Sequence, residues 1–301
     1  RVELNGLYVE DRQQDPLLYA GRITTRILPW NLLNNTVSVQ ELSMEDFVAS
    51  VHRASPADPF NFQFIIDSFT TDKDTTIVKK KKSWRIVADD IVLENGRLSY
   101  HVHSGPRTPG AFNASHIDVH GFNFRGEVDF NGIEDMEAEV KQLTLQESNA
   151  GISVNELIAH FRAVGTRFES NRVDLEVNQT GVSARNAFYD RATREFAATA
   201  RSERVDPADI ALFSPRFADL DKQVSFDLDA EGALPQATLN RINFQYGADT
   251  RLDISGSISD YSDLETSDLD VNVRNLTVSQ GDLESLIRVG APVYASPDQL
   301  K

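Results

Sequence analysis

The chain has 301 residues, 40% of them hydrophobic, which is enough to bury a core and too many for a disordered chain. Its 46 Asp and Glu against 30 Lys and Arg leave a formal net charge of −16, which repels a phosphate backbone, so nucleic acid is not expected as a partner. With no Cys there is no disulfide framework, thiolate zinc site or cysteine nucleophile, and no run of 18 apolar residues marks a membrane-spanning helix. The opening Arg1-Val2-Glu3 has neither an initiator Met nor a signal-peptide pattern, and the chain reads as an excised piece of something longer.

Short helices and strands are both predicted along the chain. Ser43-Met44-Glu45-Asp46, ahead of Phe47, Val48 and Val51, has an N-cap residue with a carboxylate three positions on, the pattern that satisfies the first free amides of a helix. The loop Ala54 to Pro59 and the polar stretch Thr70 to Ser83 place a possible sub-boundary near 54–83 in an otherwise continuous domain over 1–301. Lys79 to Lys82, beside Trp84, form the one basic run, which suits an anionic headgroup or, more commonly, a solvated loop.

From about residue 84 apolar and polar residues alternate with the two-residue period of a half-buried strand. His101, His103, His116, Asp118 and His120 fall at same-face spacings on either side of a Gly/Pro-rich loop, so a hairpin would gather imidazole and carboxylate ligands. Alternating polar residues on a solvated face explain the same pattern, and these histidines are only weak metal candidates. After Ile117 and Val119 the alternation slips to Phe122 and Phe124, which requires a bulge or bend at Gly121. Ser153-Val154-Asn155-Glu156 then predicts a second short helix, through Leu157, Ile158 and Phe161.

Strand alternation resumes at Val173, Leu175 and Val177. Asp206-Pro207-Ala208-Asp209 predicts a third helix, with Pro at its favoured first position. Further strands run through Val224, Phe226 and Leu228, through Leu252 and Ile254, and through Leu269, Val271 and Val273, with a second slip at Asn275. Ser279-Gln280-Gly281-Asp282 predicts a fourth helix. Asp260, Asp263, Glu265, Asp268 and Asp270 lack the loop spacing of a calcium site and read as solvated turns.

The segment Leu269-Asp270-Val271-Asn272-Val273-Arg274-Asn275-Leu276-Thr277-Val278, followed by Asp282-Leu283 and Leu286, resembles the AsmA-like superfamily and its TamB-type translocation and assembly proteins. Asp209-Ile210 with Phe213-Ser214-Pro215, and Leu4, Leu7-Tyr8-Val9 leading through Leu17-Leu18-Tyr19 to Ile23, are similar in the same way. The resemblance implies a mainly β fold, an elongated, curled antiparallel sheet forming a taco-like trough punctuated by short helices. It also implies a Gram-negative envelope protein, its body in the periplasm and its inner-membrane anchor outside these residues. Its work would be moving phospholipid towards the outer membrane and assisting outer-membrane protein assembly, with phospholipid or another acyl-chain ligand and an outer-membrane β-barrel assembly protein as partners.

On that reading the trough is lined by Val173, Leu175, Val177, Val224, Phe226, Leu228, Leu252, Ile254, Leu269, Val271 and Val273. The same residues would form the sealed core of an extracytoplasmic β-sandwich or solenoid that binds a protein or glycan through its loops. Nucleophile elbow, phosphate loop, dinucleotide fingerprint and zinc-protease motif are all missing, so no catalytic residue or cofactor is expected and the chain is not read as an enzyme.

Overall fold

The computed structural model describes residues 1–28, 30–31, 36–65, 85–132, 134–260 and 267–290. Its strands are β1 (Val2–Glu10), β2 (Pro16–Ile27), β3 (Thr36–Arg53), β4 (Arg85–Val102), β5 (His116–Phe130), β6 (Asp135–Glu147) and β7 (Ile152–Val164). They continue with β8 (Arg167–Val177), β9 (Thr180–Asp190), β10 (Glu195–Val205), β11 (Val224–Ala233), β12 (Gln236–Tyr246), β13 (Thr250–Ile258) and β14 (Leu269–Thr277). All fourteen belong to one sheet in sequence order. An open sheet this wide is unusual: strand twist accumulates, and beyond about ten strands a sheet curls or splits. This one curls without closing into a barrel. The two-sheet sandwich considered as an alternative is therefore not the architecture.

The expected antiparallel pairing holds at every junction except one, since β3 and β4 run parallel. A parallel pair needs a long crossover, and the 31 residues between the two strands, 54–84, are enough for one. Lys79 to Lys82 and Trp84 lie outside the described residues.

Two of the four predicted helices form. In α1 (Pro207–Ala211) the Asp206 carboxylate accepts from the Ala208 amide at 2.9 Å. In α2 (Gln280–Gly290) the Ser279 hydroxyl accepts from the Asp282 amide at 3.3 Å. The other two capping patterns lie within strands: Ser43 to Val51 inside β3, and Ser153 to Phe161 inside β7. A two-turn helix has few bonds of its own, whereas each of these segments pairs with strands on both sides, and the ladder prevails over the local signal.

Both predicted slips are bulges. At Gly121, with φ of 59°, the β5–β6 register shifts between His120 and Asn123. Near Asn275 the β13–β14 register shifts between Asp253 and Ile254. Gly121 belongs to a line of left-handed residues in neighbouring strands, with Asp46 at 50° and Asn95 at 53°. The Asn95 amide donates to Asn123 Oδ1 at 3.0 Å, tying the line across β4 and β5.

Along this crease Phe47 is buried with Ala20 and Ile23, packed by Leu42, Met44, Leu93 and Phe122. The Phe47 and Phe122 rings meet edge to face at 6.1 Å. A second sealed cluster, Val205, Leu220, Val224 and Tyr246, lies where β10 leads through α1 and a 3-10 turn (Pro215–Asp219) into β11. Ile210 of α1, Phe217 of the 3-10 turn and Leu286 of α2 pack onto it.

Glycine at 96 is what lets the Phe47 ring lie on the sheet, because a Cβ there would be 2.2 Å from Phe47 Cζ. Gly96→Ala is expected to destabilise the protein by about 1–3 kcal/mol through overpacking, read as a lower urea midpoint at unchanged slope.

Candidate functional site

The registers place apolar residues directly opposite one another in a row that crosses the whole sheet. From β1 to β14 it runs through Val2, Thr25, Leu42, Ile91, Gly126, Val140, Ala159, Val173, Ala184, Ala200, Leu228, Ile242, Ile254 and Val273. Thr25 is its one polar member. With neighbours about 4.8 Å apart, the row is roughly 62 Å long.

A second row on the same face passes through Leu4, Ile23, Met44, Leu93, Phe124, Leu143, Leu157, Leu175 and Val182. Past a register shift in β10 it is continued by Phe226, Phe244, Leu252 and Leu276. The middle of the first row is built from Gly126, Val140, Ala159, Val173, Ala184 and Ala200, beside the larger Phe124, Leu143, Leu157 and Leu175. Small side chains in the first row thus stand beside larger ones in the second.

The residues expected to line a trough fall into this pattern with one exception. Val173, Leu228, Ile254 and Val273 lie in the first row, and Leu175, Phe226 and Leu252 in the second. Val177 pairs with Val154, Val271 with Gly256, and Leu269 with Ile258 on the same face. Val224 is the exception, sealed in the cluster beneath the helical segments. Leu269, Val271, Val273 and Leu276 are exposed on the edge strand β14. The contributions of β1 to β7 were missed, partly because helix signals at Ser43 and Ser153 masked the alternation there.

The opposite face carries the charge. Asp253, Asn243, Asp227, Arg201, Ser183 and Asp174 form a paired row on it. Arg241 bonds Asp227 at 3.0 Å, and Arg172 and Arg185 reach Asp174 at 2.5 and 2.6 Å. These carboxylates are paired with cations along the strands instead of converging in a cleft.

The histidine hairpin forms in part. His101 and His116 are directly opposed, with their Nδ1 atoms 3.3 Å apart, and His101 Nε2 is 3.2 Å from Asp118 Oδ1. His116 Nε2 donates to the Gly105 carbonyl at 3.0 Å, which leaves its Nδ1 to accept from His101. His103 packs against His52 instead, and His120 contacts the Ser148 hydroxyl at 3.1 Å. The five residues therefore make one contacting group, His101 with His116 and Asp118, and two separate contacts rather than one ligand set.

A different group converges at the β1–β2 turn: Asp11, Asp15 and His52, a cluster with no sequence motif because it joins a turn to the far end of β3. Burial raises the Asp11 pKa, but the Asp15 and Gln13 amides, the Asn61 side chain and His52 together hold it below the usual carboxylate range. Of the acidic run, Asp263 and Glu265 lie outside the described residues. The backbone amides of Asp260 and Asp268 donate to Ser267 and Ser259, each at 2.8 Å.

Fold and faces together define a class: a single open β-sheet, apolar on one side and ion-paired on the other. Compared with protein-family models, curated proteins and solved structures, the chain matches none.

Burial pushes the Asp174 carboxyl up, but bonds from Arg172, Arg185 and Ser183 outweigh it and lower its pKa to about 2. Because the folded pKa is depressed, this stabilisation is complete above the unfolded value near 4 and is lost as pH falls through about 2. Between pH 5 and pH 2 the thermal midpoint of Asp174→Asn should therefore fall less steeply than that of the parent, as measured by circular dichroism.

Proposed function

We propose that this chain is a periplasmic segment of an AsmA/TamB-like envelope protein whose apolar face binds and conducts phospholipid acyl chains between inner and outer membrane. The carrying observation is the apolar row that crosses all fourteen strands without a charged residue. An acyl chain gains about 0.8 kcal/mol per methylene removed from water, and a surface with no interruption lets it slide without ever solvating a buried charge. The row runs roughly 62 Å across the strands, and its middle, β5 to β10 between the Phe47 and Tyr246 clusters, is the stretch on which an acyl chain lies.

On this reading the protein is a carrier rather than an enzyme. Its inner-membrane anchor lies outside these residues, and an outer-membrane β-barrel assembly protein is a partner at the far end. Lipid delivery and assistance to outer-membrane protein assembly are two uses of the same face, since an unfolded barrel strand is also apolar on alternate residues.

The test is mass spectrometry of an organic extract of the purified chain. Phospholipid at about one molecule or more per chain is expected, and Leu228→Asp, in the open row, should lower it at least tenfold with the β-sheet circular dichroism unchanged. Val273→Asp, on the exposed edge strand, should do so by a few-fold with no effect on stability. Equal loading in both folded variants, or lipid-free parent protein, would refute the assignment.

A further inference from the structure

We propose that Asp11, Asp15 and His52 form a binding site for a divalent first-row transition cation of the Zn2+ type, which fastens the β1–β2 turn to the end of β3. The ligand atoms of the three side chains all lie within 4.8 Å of one another. The decisive atom is Asp11 Oδ2. The Asp11 side chain is 0% exposed, and its Oδ1 is taken by the Gln13 amide at 2.8 Å and the Asp15 amide at 3.0 Å. Oδ2 makes no hydrogen bond. A buried carboxylate oxygen without a partner is costly and rare in folded proteins.

This atom points at His52. Oδ2 and Nε2 are 3.8 Å apart, too far for a hydrogen bond, yet close to the separation of two donors that share one ion at bonds of about 2.0–2.2 Å. His52 is held in place through its backbone. Its amide donates to Asn61 Oδ1 at 3.1 Å, its carbonyl accepts from the Asn61 amide at 2.9 Å, and Asn61 Nδ2 donates to the Ser50 carbonyl at 3.0 Å. The ring of His103 packs against that of His52 at 5.3 Å, restricting its rotation.

The donor set selects the ion. Ca2+ and Mg2+ take oxygen ligands, whereas an imidazole with two carboxylates suits Zn2+ and its neighbours. Asp15 is exposed, which gives the ion a route in and leaves room for water in its coordination shell.

The experiment is calorimetric titration of the chelator-treated full chain with Zn2+, and separately with Mg2+ and Ca2+. One Zn2+ per chain is expected, with at least tenfold weaker binding in His52→Gln and in Asp15→Asn and no loss in the His101→Gln/His116→Gln double variant. Because Asp15 is exposed, Asp15→Asn should keep the fold even if replacement of Asp11 does not, and the Zn2+-induced rise in thermal midpoint should vanish with it. Absence of Zn2+ binding, equal binding in the His52 and Asp15 variants, loss only in the His101/His116 variant, or preference for Ca2+ or Mg2+ would each overturn the proposal.

Discussion

Over most of this sheet the described residues provide no second layer, so each strand is held chiefly by the two beside it. A β-sandwich buries its apolar face against a partner sheet, and the core then stabilises every strand at once. Here two local clusters of buried side chains form, around Phe47 and around Tyr246, while Leu17, Val102 and Ile152 are buried outside them, and among the described residues Tyr246 is the one large side chain that is fully buried. Elsewhere the ladder and the cross-strand pairs must supply the stability, as neighbouring units do in a solenoid. The strand order suits this arrangement, because thirteen of fourteen strands follow directly beside the one before and β4 alone requires a long crossover, although it too lies beside its predecessor.

Such a sheet depends on its charged face as much as on its greasy one. Asp174 between Arg172 and Arg185, and Arg241 on Asp227, link residues within a strand and across neighbouring strands. Single exposed pairs contribute little, but here they repeat along paired rows, where like charges set opposite one another would weaken the sheet. The net charge of −16 acts at longer range by keeping copies apart, which matters for a sheet whose edge strands are β1 and β14 and whose apolar face the described residues cover only in part.

The strand alternation was legible wherever it stood without a competing signal. Val224 to Ala230, Leu252 to Ile258 and Leu269 to Val273 could be read directly, and the phase slips at Gly121 and Asn275 located real bulges, because a one-residue slip in period two has few other physical meanings. The failures were also physical. Ser43 and Ser153 carry helix-capping patterns that are valid locally, and only pairing on both sides, a property of the whole sheet, decides against them. Sequence also left the destination of the apolar face open, since sandwich and trough share a pattern. The parallel junction of β3 and β4 has no signature of its own. Asp11, Asp15 and His52 could not be found from spacing, because the turn that holds two of them and the strand end that holds the third meet only through pairing.

The apolar face is not uniform, and its unevenness follows from how the curl is made. At one side the left-handed residues Asp46, Asn95 and Gly121 fold the pleat over Phe47, where Gly96 clears the space for the ring. At the other, α1, the 3-10 turn and α2 lie over Val224 and Tyr246, and Asp282 anchors α2 by accepting from Lys222 Nζ at 2.5 Å and from the Thr250 hydroxyl at 2.7 Å. Between these sealed regions, strands β5 to β10 present Gly126, Ala159, Ala184 and Ala200 in the central row, the smallest side chains available. Large residues there would have added cross-strand contacts on this face. With small side chains there, few contacts form between neighbouring strands on that face, and the stability of these middle strands falls on the hydrogen-bond ladder and on the ion pairs of the opposite face.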